Sequence, residues 1–247
     1  MKTILIPIDF SDTSENVIQY AADFVKDAVV DQIILLMSYS ISMFAQLMPS
    51  ADYVQMSASD IEEERGKIEK NVQCIAETLQ GKCNAPTKVE TAISELPMLP
   101  AIHLLIDQER PGLLMVGSDH HASSDRSPIG EHLIGIAKTS PVPVLIVPAG
   151  LHYQKIKQAL VPCDFTAVSR LILIKELCSS FQWLHPELTI VKVGPDTVHG
   201  ILSFAGKNNI QLLIALPGQH SLFYNLTHRS ITKALALNAT QPILILK

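Results

Sequence analysis

Residues 116–132 read VGSDHHASSDRSPIGEH, and Asp119, His120, His121, Asp125 and His132 crowd this one stretch. Neutral imidazoles and carboxylates in such density are the donor types that hold zinc or nickel. Ser118, Asp119 and His120 also supply the residue types of an acyl-transfer triad, with a serine nucleophile and a histidine base. Spacing argues against both. No helical i, i+4 histidine pair and no cysteine partner accompanies the loop, so His120, His121 and His132 are weak metal candidates and no metal site is assigned. Adjacent residues rarely aim at one another, and the chain has no Gly-x-Ser-x-Gly elbow, no Gly-x-x-x-x-Gly-Lys-Ser/Thr loop and no His-Glu-x-x-His. The expectation is a protein that is not an enzyme, with no catalytic residues.

The surroundings of the loop suggest a different chemistry. An apolar run, LLMV at 113–116, enters it, and Ser127-Pro128 leaves it as an N-cap followed by a first-turn proline. Strand, loop and helix start in that order form the frame of a phosphate-binding turn, in which backbone N–H groups and the helix dipole face an anion.

Bulk properties narrow the partners. A formal net charge of −5 with 17% charged residues leaves no basic footprint, which excludes nucleic acid and anionic membrane as expected partners. MKTILIPIDFSD begins with an apolar run of five residues, broken by Pro7 and ended by Asp9, too short for a secretory leader or a membrane span. A cytoplasmic location is the expectation. Cys74, Cys83, Cys163 and Cys178 form no Cys-x-x-Cys pair and read as reduced structural thiols.

The elements that must position the loop emerge from an internal repeat. ILIPIDFS at 4–11 returns as ALVPCDFT at 159–166, an offset of 155. LLMVGSDHH at 113–121 returns as LLIALPGQH at 212–220, and PVLIVP at 143–148 as PILILK at 242–247, both at an offset of 99. The second copy therefore lacks 155 − 99 = 56 residues. Two units result, a complete one at 1–150 and a shortened one at 151–247.

Within the first unit, short β-branched runs alternate with stretches of 3.6-residue period, a β-α-β-α pattern. Strands are expected at Thr3–Ile8, Gln32–Met37, Thr87–Ala92, Leu113–Val116 and Val144–Val147. The first helix opens on DTSE at Asp12–Glu15, which has the form of a capping box, and buries Val17, Ala21, Phe24, Val25 and Ala28. A second helix turns Ile61, Ile68, Val72, Ile75 and Leu79 to one side; a third runs from Pro97 to Asp107 and a fourth from Pro128 to Lys138. In the second unit, strands fall at Gln158–Val161, Leu188–Val193, Leu212–Ala215 and Ile243–Leu246. Apolar strands covered on both faces predict a parallel, doubly wound sheet, and the loss in the second unit is tolerable if its order is 3-2-1-4-5. Its third strand is then an edge, so the second unit can lose that strand and a helix and still close its layers.

PIDFSDTSE at 7–15, LLMVGSD at 113–119, PVPVLIVP at 141–148 and their second copies resemble the universal stress protein family, here as two units in tandem. The resemblance implies two flavodoxin-like, adenine nucleotide alpha hydrolase-like α/β domains. It also implies pairing through final strands, which two units in one chain would satisfy internally, between PVLIVP and PILILK. A homodimer and a further protein partner of unknown identity remain open.

Family members that bind ATP resemble one another in a loop of Gly, two residues, Gly, nine residues, Gly, then Ser or Thr. Laid on this chain, Gly117 and Gly130 fit, but His120 stands at the second glycine and Glu131 at the hydroxyl. Glu131 in a helix's first turn complements the macrodipole and occupies the field a phosphate needs. Two like charges about 4 Å apart at an effective dielectric near 20 repel by about 4 kcal/mol. Asp9 matches the family's acidic position beside the base and sugar, so Pro7, Asp9, Val116, Gly117, His120, Gly130 and Glu131 form a vestigial nucleotide site. In the second unit Leu216, Gln219 and Arg229 replace all three glycines, leaving Ser230 and Asp164.

The expectation is a universal stress protein acting as a non-enzymatic regulatory or binding module with a degenerate ATP loop and no cofactor. The alternative is a stress sensor for ATP or AMP in the first unit's crevice. A connection at 38–60, carrying Met43, Met48 and Met56 beside Met37, reads as a lid or contact surface.

Overall fold

The computed structural model describes residues 3–39, 58–83, 86–118, 128–163, 187–192, 197–215 and 239–247. Most of the methionine-bearing connection, and the loop at 119–127, lie outside these residues. In chain order the elements are β1 (Thr3–Ile8), α1 (Asp12–Asp27), β2 (Gln32–Ser38), α2 (Ala58–Lys82), β3 (Lys88–Ser94), α3 (Met98–Glu109), β4 (Leu113–Ser118), α4 (Pro128–Thr139) and β5 (Val144–Pro148). There follow β6 (Gln158–Cys163), β7 (Glu187–Lys192), α5 (Thr197–Lys207), β8 (Leu212–Ala215) and β9 (Ile243–Ile245). Strand positions agree with the periodicity to within a residue or two at each end.

All nine strands join one sheet in the order β3-β2-β1-β4-β5-β9-β8-β6-β7. The first five give the expected 3-2-1-4-5 order, with β3 at the edge. Alternate residues face opposite sides of the sheet. Ile4, Ile6, Met115 and Val147 pack with Val17, Phe24, Val72 and Leu79 of α1 and α2. Leu5, Val116 and Ile146 pack on the other face with Ile102, Ile106, Leu133 and Ile136 of α3 and α4. The five α1 residues expected inside are all buried. Full burial of each large apolar side chain stabilises by about 1.5–3 kcal/mol.

The beginning of α1 corrects the capping expectation by one residue. Ser11, not Asp12, is the N-cap: its φ of −78° and ψ of 161° are extended, and its hydroxyl accepts the Ser14 N–H at 3.2 Å. Asp12 and Glu15 sit in the first turn, where carboxylates favour the positive helix end.

The repeat recurs as hydrogen-bond register. Ile4 and Leu5 pair with Leu113 and Leu114, and their counterparts Ala159 and Leu160 pair with Leu212 and Leu213. Thr3 opposes Gln32 as Gln158 opposes Glu187. Arg110 and Asn209, 99 residues apart, both follow their helices in the left-handed region, with φ of 47° and 50°. β5 and β9 pair antiparallel, and Leu145 lies opposite Leu244, its own counterpart at the same offset. A local two-fold axis normal to the sheet therefore passes through that pair. Equivalent residues share a face: Leu145 and Leu244 lie on one side, Val144 and Ile243 on the other.

The connection between β5 and β6 is held against α1. The Tyr153 ring meets Tyr20 edge-on at 5.3 Å and Phe24 at 5.8 Å, and its hydroxyl donates to Asp27 Oδ2 at 3.1 Å. Both phenols are held above their ordinary value near 10. Burial is the main cause for each; Tyr153 repels the Tyr20 phenolate, and the bond to Asp27 favours the protonated Tyr153. A raised folded pKa contributes stability that is complete below the unfolded phenol's pKa and is lost as pH rises through and beyond it. The urea midpoint should therefore fall between about pH 8 and about pH 10.5. The double variant Tyr20→Phe/Tyr153→Phe should fall less, and an equal fall in both chains would show that these phenols do not carry the effect.

Candidate functional site

Pro7 decides where the sheet opens. Thr3 accepts the Gly112 N–H at 2.9 Å, so its carbonyl faces β4, and the two-residue alternation turns Leu5 and Pro7 the same way. Proline has no N–H to donate. Pairing between β1 and β4 accordingly ends at Leu5–Leu114, while β1 stays paired with β2 as far as Ile8 and β4 with β5 as far as Ser118. The strands part at their carboxyl ends, at the topological switch point where open α/β sheets hold ligands.

Asp9 stands on one side of this crevice. Its Oδ1 accepts the Ser11 and Ser14 hydroxyls, both at 2.5 Å, and the Ser11 N–H at 3.2 Å, while its own N–H donates to Ser14 Oγ at 3.1 Å. Charge-assisted O–H···O⁻ bonds of this length are the strong class. The carboxylate thus ties the end of β1 to the first turn of α1. Sequence reasoning passed over Ser11 and Ser14; the signal was a serine pair three apart, directly after an acid that follows a strand.

Val116, Gly117 and Ser118 form the opposite side, all buried on β4. A Cβ on Gly117 would lie 2.3 Å from Thr13 Cγ2, 3.0 Å from Val17 Cγ2 and 3.2 Å from the Thr13 carbonyl oxygen. Gly117 is therefore where α1 seats on β4, a packing reason independent of any phosphate. Asn16 reaches over β4 to donate to the Pro148 carbonyl at 3.2 Å, and the Ala149 N–H donates to the Ser118 carbonyl at 3.0 Å.

Gly130 and Glu131 lie in the first turn of α4, as the Ser-Pro start predicts. His132 follows on the same helix and is exposed. His120 and His121 lie outside the described residues, as do Asp164, Leu216, Gln219, Arg229 and Ser230 of the second copy. Among the described residues no three His, Cys, Asp or Glu side chains are grouped to hold a metal, and no helix is long and apolar enough to cross a membrane. Cys74 and Cys83 are free thiols.

A model of the Universal stress protein family matches residues 1–148. The chain is similar in fold to the crystal structure of a universal stress protein from Archaeoglobus fulgidus DSM 4304, with a TM-score of 0.65 and 16% identity over 99% of this chain and 98% of that one. A putative universal stress protein from Pseudomonas aeruginosa UCBPP-PA14 aligns with a TM-score of 0.51 and 14% identity over 100% and 92%. A universal stress protein in complex with cAMP aligns with a TM-score of 0.42 and 18% identity over 60% and 98%. No curated protein matches the sequence.

Gly117→Ala should destabilise the fold by about 1–3 kcal/mol through overpacking. Thr13→Ser keeps the hydroxyl and removes the closest atom, so Gly117→Ala/Thr13→Ser should recover part of that loss in denaturant unfolding. Full tolerance of Gly117→Ala would show that α1 does not seat there.

Proposed function

This chain belongs to the universal stress protein family, and from that premise we propose that it is a non-enzymatic regulatory or binding module whose ATP loop has lost the family's phosphate chemistry. The observation that carries the reading is the commitment of Asp9: its Oδ1 already accepts two hydroxyls at 2.5 Å from α1. The group that the family resemblance assigns to the adenosine edge here holds the N-cap serine and a first-turn serine of α1. Gly117, the first loop glycine, is accounted for by packing against Thr13. His120 and Glu131 place an imidazole and a carboxylate where the binders' pattern has a glycine and a hydroxyl.

The same reading makes 151–247 a second, shortened unit of the family. Its support is the repeated register, strand for strand, around Leu145 and Leu244. The parting of β1 from β4 is repeated as well, because Pro162 takes the place of Pro7. Regulation through a protein partner fits a module that keeps the crevice but alters its chemistry.

Calorimetry with ATP, AMP and adenosine tests the proposal. No saturable heat with ATP is expected from the natural chain, whereas His120→Gly/Glu131→Ser should bind ATP at least about tenfold more tightly, since one repulsive charge is gone. Tight ATP binding by the natural chain overturns the reading, and binding of AMP or adenosine alone would make the crevice a sensor for the less charged ligands.

A further inference from the structure

A second cavity runs from the end of β1 along the outer side of α1. It encloses about 620 Å³ between α1, α2 and His152 of the β5–β6 connection. That volume is within the range of small-molecule sites. Phe10, Ile18 and Ile75 give it an apolar wall, with the buried Ile8 and Leu79 behind it. From Ser11 to Gln19 the wall follows α1 for about 12 Å at 1.5 Å per residue.

The two ends differ in charge. At one end Lys82 Nζ donates to Gln19 Oε1 at 2.8 Å and forms no ion pair among the described residues. Gln19 passes its N–H to Asp23 Oδ2 at 3.1 Å, but Asp23 is already answered by Lys26 at 2.6 Å. Among the described residues no carboxylate answers Lys82, and His152 lines the same cavity. At the other end lie Asp12 and Glu15 of the first turn. An anion is attracted to the lysine end and repelled from the helix start.

Phe10 supplies an independent sign of a ligand. It is 43% exposed and holds φ at 59°, a region bulky L-residues avoid. Local strain of this kind persists where the surroundings enforce it, and it clusters at binding sites. A glycine would make the same turn without strain. What a glycine lacks is an aromatic wall for the cavity.

We propose that the α1–α2 cavity binds a free, medium-chain amphiphile with one anionic head, the head on Lys82 and the tail along Ile75 and Ile18 to Phe10. The site adjoins the strand-end crevice at Ser11 and Ser14, and its Lys82 end lies along α1 away from them.

Decanoate, decanol and decyltrimethylammonium, titrated by calorimetry into the whole chain, test it. Decanoate should bind saturably, decanol about tenfold more weakly for want of the charge-assisted bond, and decyltrimethylammonium least. Lys82→Ala, a surface change, should bring decanoate to the level of decanol without moving the melting temperature. Ile75→Trp should fill the cavity and abolish decanoate binding. Phe10→Gly should raise the melting temperature and weaken decanoate. Absence of saturable decanoate binding, equal binding of the three heads, or retention by Ile75→Trp would each overturn the proposal. So would association with phosphatidylglycerol vesicles without any response to free decanoate.

Discussion

A missing N–H at Pro7 organises the ligand side of this molecule. Because β1 cannot continue its ladder to β4 beyond Leu5, the two central strands part while each stays paired on its other side. The parting leaves a crevice at the carboxyl ends, and α1 covers one face of it by seating Thr13 and Val17 against Gly117. A side chain at 117 would lift α1, and with it the serines that hold Asp9. Asp9, Ser11, Ser14 and Gly117 are thus parts of one joint between strand and helix. Chemistry at the crevice has to be built around a carboxylate already engaged in that joint.

Charge is distributed with the same economy along α1. Its first turn carries Asp12 and Glu15 at the positive end of the dipole, and its last turn carries Lys26 beside Asp23. The Lys26 ammonium, through its hydrogen bond above all, holds the Asp23 carboxyl below the usual carboxylate range. This exposed pair adds little to stability. Its consequence is local: with Asp23 satisfied, the neighbouring Lys82 cation meets the Gln19 amide and no carboxylate among the described residues. Tyr153 then ties the connection after β5 to the far end of α1, so the same helix bears on the crevice, the outer cavity and the join to β6.

Most of the architecture was legible in the amino-acid sequence because burial imposes periodicity. The five inward residues of α1, the order of the first five strands and the offsets of 155 and 99 all reappear as packing and register. The candidate site was legible only in part. Pro7, Asp9, Val116 and Gly117 come together around the end of β1–β4 pairing, and Gly130 and Glu131 begin α4. Their roles were not readable from type and spacing. A glycine needed for helix seating and a glycine needed for phosphate look identical in a string of letters. An acid beside a ligand and an acid holding the serines of a helix start do as well, and the capping position itself moved from Asp12 to Ser11.

The sequence by itself determined what is periodic: family resemblance and alternating strands and helices. These follow from local rules, since each residue's face is set by its own element's period. Tertiary structure alone decided which side chains meet across elements. It placed Leu145 opposite Leu244 on a local axis, Thr13 over Gly117, the Ser11 and Ser14 hydroxyls on Asp9, and Lys82 beside an amide at the end of an apolar cavity. Such contacts join residues tens to a hundred positions apart, or aim neighbours through a turn, and no period along the chain encodes their direction.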